Sequence, residues 1–490
     1  MRKKILILIC LMPCIGLFAG EVIRFEDYFE DRGLRVDFYF VGNAAEESIV
    51  IGRLVREGAW PENPDRLLDA FEYGKYTVLV EDIASGKLIY RQGFDSEFGE
   101  YRTTAPARAG RKKVYERSVR IPCPKQPVRL KFESRDRNNV PRPLFAEEID
   151  PSDTGIIRET VSSGDETFVL LENGDPHHCV DFVFIGEGYT PSDREKFVQD
   201  AGKYTGILFG TEPYGKLKNR FNVRAVLRTS PESATDEPRQ AVFRKTMLDA
   251  SFNALGLDRY LLTQRNHLMR EIAAQVPYDA IIVLVNSARY GGGGIYNDYC
   301  ITTVDNDRSS FVFLHELGHS FAGLADEYYA SEVAYEEFYP AGVEPLEPNI
   351  TALPGGKVKW ADLLSPGIRI PTEYGKAERD SLAARLGRNK KEMRAALEAA
   401  RKRNAAADEI RSVENSFKKK SEKLNKKLDE LRARYSDLED KVGAFEGAGY
   451  SSNGLYRPMI NCLMISHPRN EFCRVCQAGI ENMTGYYSSR

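Results

Sequence analysis

Histidine is scarce in this chain: there are six among 490 residues, so a pair sharing one helical face carries weight. Charge of one sign is scarce as well. The 69 basic and 72 acidic side chains leave a formal net charge of −3, and a near-neutral chain gives no electrostatic case for nucleic acid. Long hydrophobic runs are missing beyond the first residues, which leaves no candidate transmembrane segment. Proline is absent and glycine nearly so over 376–441, which favours uninterrupted helix there. The length exceeds one ordinary domain, and two or three are expected.

The N-terminus, MRKKILILICLMPCIGLFAG, joins a basic start to an apolar run and ends on Ala19 and Gly20. That pattern predicts a signal peptide over 1–20, too short to span a bilayer. The mature chain is expected to be exported: periplasmic, cell-surface or secreted. Lipidation at Cys14 is the weaker alternative, because Met12-Pro13 makes a poor lipobox. Six cysteines remain after the leader: Cys123, Cys179, Cys300, Cys462, Cys473 and Cys476. Export permits disulfides, but their pairing is not readable from spacing. Cys462, His467, Cys473 and Cys476 could hold a second, structural zinc; a disulfide or buried thiols account for them more simply.

Residues 311–329 read FVFLHELGHSFAGLADEYY. His315 and His319 are four apart, just over one helical turn, so their imidazoles project from one face and can share a metal ion. Glu316 can reach an activated water without itself ligating the metal. Metal-assisted peptide hydrolysis needs this pattern, with the carboxylate taking the water proton and passing it to the leaving amine. Apolar neighbours make this a buried helix, which Ser309 or Ser310 could cap. Catalytic zinc usually has three protein ligands. A glycine at 323 lets the chain turn back, and Asp326 is the nearest third candidate, with Glu327 as rival; a helix-end carboxylate bonded to backbone amides is the plain reading of Asp326. The metzincin signature HExxHxxGxxH follows the same logic, but Gly323 and Asp326 each lie one residue further on here.

HELGHSFAGLADEY, together with GAFEGAGY at 443–450 and GLYRPMINCLM at 454–464, resembles the bacterial IgA-peptidase family of zinc metallopeptidases, metallopeptidase family sixty-four. The resemblance implies zinc (Zn2+) held by His315, His319 and Asp326, with Glu316 as catalytic base. It also implies that Met464 is the methionine of a Met-turn beneath the metal. On sequence alone Met459 and Met483 compete, and ordinary core packing is the plain reading of Met464.

The expected fold is α+β multidomain: an N-terminal β-sandwich over 21–150, a linker over 151–165, and a metzincin-like α/β zinc-peptidase domain over 166–490. Strand alternation at 34–41, 76–80, 87–91 and 128–132 carries the first part. No catalytic cluster occurs there, so it reads as an accessory or positioning module. The second part is expected to run strand, helix (191–209), strand, helix (258–276), strand (279–285), edge strand (299–304) and active helix, with Tyr290-Gly-Gly-Gly-Gly-Ile295 as cleft rim or turn. Within it, 376–442 is predicted as a helical-hairpin, coiled-coil insertion, bent near Asn404, with apolar positions such as Leu424, Leu428, Leu431 and Tyr435 at steps of three and four.

The function expected is an exported zinc endopeptidase acting on protein or peptide substrates, with immunoglobulin A as the substrate the family name implies. The alternative is a catalytically silent zinc-containing binding or adhesion protein that displays the coiled coil, through which partners or copies could associate. A third reading takes Glu336 or Glu337 as a distant ligand. Arg457 and His467 could touch substrate or the oxyanion, although surface or capping roles suit them better.

Overall fold

The structure is a computed structural model that describes residues 23–158, 164–329, 338–466 and 471–489. The leader expected over 1–20, Glu336, Glu337 and His467 lie outside the described residues, as does part of the linker. No described helix is long and apolar enough to cross a membrane.

The N-terminal region is β-rich. Strands β1 (Phe29–Gly42), β2 (Glu47–Arg56) and β5 (Lys113–Pro124) form one antiparallel sheet. Strands β3 (Tyr76–Asp82), β4 (Leu88–Phe94), β6 (Val128–Arg135) and β7 (Pro141–Ile149) form the other. β3 shows the period-two rule plainly: Tyr76, Val78 and Val80 are buried and alternate with half-buried neighbours. Both sheets contribute to one core that includes Phe38, Phe40, Phe94 and Phe132. The sequence reading passed over β2, β5 and β7. In β5 the reason is visible, because buried Arg117, Ser118 and Arg120 break its apolar pattern.

β5 also meets the second region of the chain. Arg117 pairs with Asp298 at 3.0 Å, and the Ser118 amide donates to Asn266 Oδ1 at 3.0 Å. The Arg120 guanidinium lies 4.0 Å from the Tyr278 ring centroid.

A six-stranded mixed sheet forms the second region. It contains β8 (Glu166–Leu171), β9 (Val180–Glu187), β10 (Phe221–Leu227), β11 (Ala280–Val285), β12 (Gly292–Ile295) and β13 (Tyr299–Thr303), in the order β12-β13-β11-β9-β10-β8. β13, β11, β9 and β10 run parallel, and the two edges are antiparallel. β9 is buried on both faces, as strands covered by helices must be. Phe182 and Phe184 join the core containing Phe313 and Phe321 of helix Ser309–Ala322. Val183 and Ile185 join the opposite core with Met269 and Ile272 of helix Asn266–Ala273.

Two expectations need correction. The helix expected over 258–276 covers only Asn266–Ala273. Residues before it run beside other chain segments instead: Tyr260 bridges Gly292, and Leu262 bridges Ser251. The edge strand is also not 299–304. The glycine run forms β12 outside β13, because only glycine fits where this strand crosses the 309–322 helix.

Helices Lys376–Lys402 and Ala407–Arg434 pack antiparallel as a hairpin, each about 40 Å long. Asn404 sits at their junction with φ 53°, a left-handed conformation that asparagine tolerates. Leu382, Leu424 and Leu431 are buried between the arms, and Asn389 donates to the Phe417 carbonyl at 3.0 Å. At its base the chain leaves and returns side by side: the Thr372 amide donates to the Ala444 carbonyl at 2.8 Å. Strands β14 (Phe445–Ala448) and β15 (Ser451–Arg457) and the helix Arg474–Tyr487 follow.

Candidate metal centre

Helix Ser309–Ala322 is mostly buried along its length. Neither serine caps it by a side-chain bond. Arg308 is the N-cap residue, and Asn306 holds the start by accepting from the amides of Arg308 and Ser309, each at 2.9 Å. At the other end Gly323 has φ 60°. The Gly323 amide donates to the His319 carbonyl and the Leu324 amide to the Gly318 carbonyl, both at 3.1 Å. This Schellman-type stop turns the chain back toward the histidine face.

The turn brings Asp326 to the histidines. Asp326 Oδ1 is 3.0 Å from His315 Nε2 and 3.5 Å from His319 Nε2, and the two Nε2 atoms are 3.2 Å apart. Each ring is oriented from behind: His315 Nδ1 donates to the Leu463 carbonyl at 3.2 Å, and His319 Nδ1 to the Leu324 carbonyl at 2.5 Å. A carbonyl can only accept, so the proton of each neutral ring sits on Nδ1 and both Nε2 lone pairs face Asp326 Oδ1. Three acceptors converging at such distances require a proton or a cation between them. This donor set fits a metal ion.

The electrostatics express the same frustration. Burial by itself would lower the His319 pKa, but the Asp326 carboxylate outweighs it and lifts the imidazole to about 9. Burial also works to raise the Asp326 carboxyl, yet the two imidazoles hold it well below the usual carboxylate range. Tyr450 donates its hydroxyl to Asp326 Oδ2, leaving Oδ1 for the centre. The Tyr328 ring lies parallel to His315 at 14°, with centroids 6.4 Å apart.

These residues open on a cavity of about 1080 Å³. Glu316 lines it beside the histidines. Burial raises the Glu316 pKa, while the charges of His315 and His319 pull it back. Part of the lining comes from the N-terminal region, including Lys75, Asp95, Glu100, Arg102 and Arg135. Tyr260 donates to both carboxylate oxygens of Glu100, at 2.9 and 2.7 Å, and burial pushes this carboxyl up to about 8. β12 forms a further side. A Cβ at Gly294 would lie 2.2 Å from the Glu316 carbonyl oxygen, and one at Gly292 would lie 2.5 Å from Val312 Cγ1.

Met464 lies in the turn Cys462–Ile465, closed by the Ile465 amide donating to the Cys462 carbonyl at 3.0 Å. It is fully buried, and a Cβ on Gly318 would meet its sulfur at 3.0 Å. This turn therefore lies against the helix between the two histidines' turns, and its Leu463 carbonyl orients His315. Glu327 points elsewhere: its carboxylate meets Cys473 and Cys476. Arg457 is buried and bonded to the Gly447 and Glu446 carbonyls, so it ties β14 to β15 rather than entering the cavity.

Sequence reasoning assigned no role to Tyr450, although it ends one of the quoted motifs. It also found no site residue in the N-terminal region, where no local motif marks Glu100 or Arg102 as cavity wall.

Comparison with known families gives two matches. The model of the family described as IgA Peptidase M64 matches residues 168–484. The model described as Peptidase M64 N-terminus matches residues 24–146. No curated protein matches the chain.

Proposed function

Because the chain belongs to the IgA peptidase M64 family, a family of metallopeptidases, we propose that it is an exported zinc-dependent endopeptidase with Glu316 as general base. The observation carrying this reading is the convergence of His315 Nε2, His319 Nε2 and Asp326 Oδ1, with Glu316 on the same cavity wall. These three residues would hold the metal. Zinc, when bound, supplies Lewis-acid polarisation of the scissile carbonyl and activation of water.

The protein's own groups do the rest. Glu316 takes the proton of the attacking water and delivers it to the leaving nitrogen, and its raised pKa suits both halves of that transfer. The carbonyls of Leu463 and Leu324 fix the imidazole tautomers. Tyr450 fixes the orientation of Asp326. The edge position of β12 suits an extended peptide added as a further strand, and the two-sided cavity suits a polypeptide substrate. Met464 serves as the Met-turn residue, within a metzincin-like arrangement. The hairpin is an insertion of coiled-coil type that contributes no described residue to the cavity lining. Export rests on the N-terminal leader pattern, and immunoglobulin A is the substrate class the family description points to.

Glu316→Gln tests the assignment. It preserves shape and leaves both histidines free to bind zinc, while removing the proton acceptor. Hydrolysis of a mixed peptide library, read by mass spectrometry, should fall by about 10²–10⁴-fold, with metal content unchanged. Equal cleavage by both proteins removes Glu316 from the mechanism.

A further inference from the structure

Behind the catalytic loop lies a second cluster. Cys462, Cys473 and Cys476 are free thiols, each at most 5% exposed, and Glu327 beside them is wholly buried. The four side chains place one ligand atom each within 4.8 Å of all the others. Cys462 Sγ lies 3.7 Å from Cys476 Sγ, and Glu327 Oε1 lies 3.0 and 3.8 Å from the sulfurs of Cys476 and Cys473. Zinc–sulfur bonds of ~2.3 Å in a tetrahedron hold sulfurs ~3.8 Å apart. The spacing is that of a closed S₃O cage.

We propose that Glu327, Cys462, Cys473 and Cys476 bind a second zinc ion, structural rather than catalytic. Several features favour it independently. Backbone amides of Cys473 and Met464 donate to Cys462 Sγ at 3.3 and 3.4 Å, and that of Cys476 to Cys473 Sγ at 3.5 Å. Such bonds stabilise thiolates. Cys473 and Cys476 also sit at the start of helix Arg474–Tyr487, where the dipole favours negative sulfur. Glu327 Oε1 accepts from the Asn349 side-chain amide at 3.0 Å besides meeting the Cys476 and Cys473 thiols, while its Oε2 has no hydrogen-bond partner among the described residues. A buried carboxylate of that kind calls for a cation. One disulfide among three converging thiols would leave a thiol and this carboxylate unmatched. Soft thiolate donors in a closed site select zinc.

The position gives the ion a purpose. Asp326 and Glu327 are consecutive, so one peptide unit would join the two metal centres. The Glu327 amide donates to the Met464 carbonyl at 2.9 Å, and Cys462 begins the turn containing Leu463 and Met464. The second zinc would thus lock the loop carrying Asp326 to the turn that orients His315, and both to the C-terminal helix. His467, considered for this cage from spacing, lies outside the described residues; Glu327 takes the fourth place.

The test counts metal in full-length protein, reduced, reloaded with zinc and freed of excess. Wild type should hold about two zinc ions per chain, and His315→Ala/His319→Ala about one. Cys473→Ser/Cys476→Ser should also hold about one, and Glu327→Gln should lose its second ion to a chelator at least ~10-fold faster. Should the cysteine variant not fold, cobalt in the His315→Ala/His319→Ala chain decides: thiolate-to-cobalt charge-transfer absorption supports the cage. No metal and no such absorption in that folded chain overturns it, as does a disulfide among these cysteines in non-reduced peptide maps. Failure of the peptidase reading would look different, with two ions bound and no hydrolysis.

Discussion

Glu316 and Glu100 line one cavity, and burial raises both pKa values. At Glu316 two imidazoles oppose the shift; at Glu100 the bonded partner is the neutral hydroxyl of Tyr260. The consequence for stability has a definite sign. Glu100 moves from an ordinary 4.5 to about 8, so between those pH values the folded state keeps a proton that the unfolded state has lost. Stability attributable to this group therefore falls as pH rises through the window. Glu100→Gln, which stays neutral and can still accept from Tyr260, should raise Tm by little near pH 4 and by several degrees near pH 9. Calorimetric scans at the two pH values check this, and a pH-independent difference assigns Glu100 an ordinary solvated carboxyl. The candidate site was legible at this scale, since the His315–His319 step and the intervening Glu316 depend only on helical periodicity.

Among the elements, β12 is the one whose residue type is dictated by a neighbour. Gly294→Ala places a carbon 2.2 Å from the Glu316 carbonyl oxygen and 3.0 Å from its Cα, so strand or helix must shift. A backbone clash of this kind should cost about 1–3 kcal/mol and, with Glu316 acting as proposed, reduce peptide hydrolysis by displacing it. Gly202→Ala is the control. It lies inside helix Arg194–Phe209 with nothing within 4 Å, and should stabilise by roughly 0.5–1 kcal/mol without touching activity. Urea unfolding and initial rates on both variants separate the effects; a Gly294→Ala protein as stable and active as wild type would mean that β12 has room to move. Periodicity could not have placed β12, because its three glycines carry no hydrophobic pattern and no β propensity.

For the whole molecule, the root of the hairpin meets the loop that carries Asp326. Tyr329, three residues beyond Asp326, donates to Asp380 Oδ1 at 2.5 Å, and Lys376 lies 5.0 Å from the Tyr329 ring centroid. Leu382, Leu424 and Leu431 close the root. Replacing Gly387–Lys423 with a short Gly/Ser turn should leave folding and zinc content unchanged, and rates on short peptides within about twofold, a change worth less than ~0.5 kcal/mol. A trimmed chain that cannot fold makes the distal hairpin part of the core. Extending the deletion back to Lys376 removes the Asp380 bond as well, and should loosen the loop carrying Asp326.

Local chemistry determined a great deal by itself. The pair of histidines, the glycine that stops their helix, the buried strand at 280–285 and the proline-free helices follow from periodicity, backbone freedom and propensity, all set by neighbours along the chain. Tertiary structure decided where the Asp326 and Glu327 side chains go, a choice that local periodicity left open. Adjacent carboxylates look equivalent in sequence, yet the turn at Gly323 sends one to the histidines and the other to three cysteines from the far end of the chain. It also decided that β5 is a strand, because Arg117 and Arg120, buried on its two faces, are paired by Asp298 and Glu62. The cavity lining likewise forms only once regions 160 residues apart meet, as Glu100 and Tyr260 do. Contacts at that separation leave no periodic trace, since their energy depends on where the fold brings the chain rather than on its order.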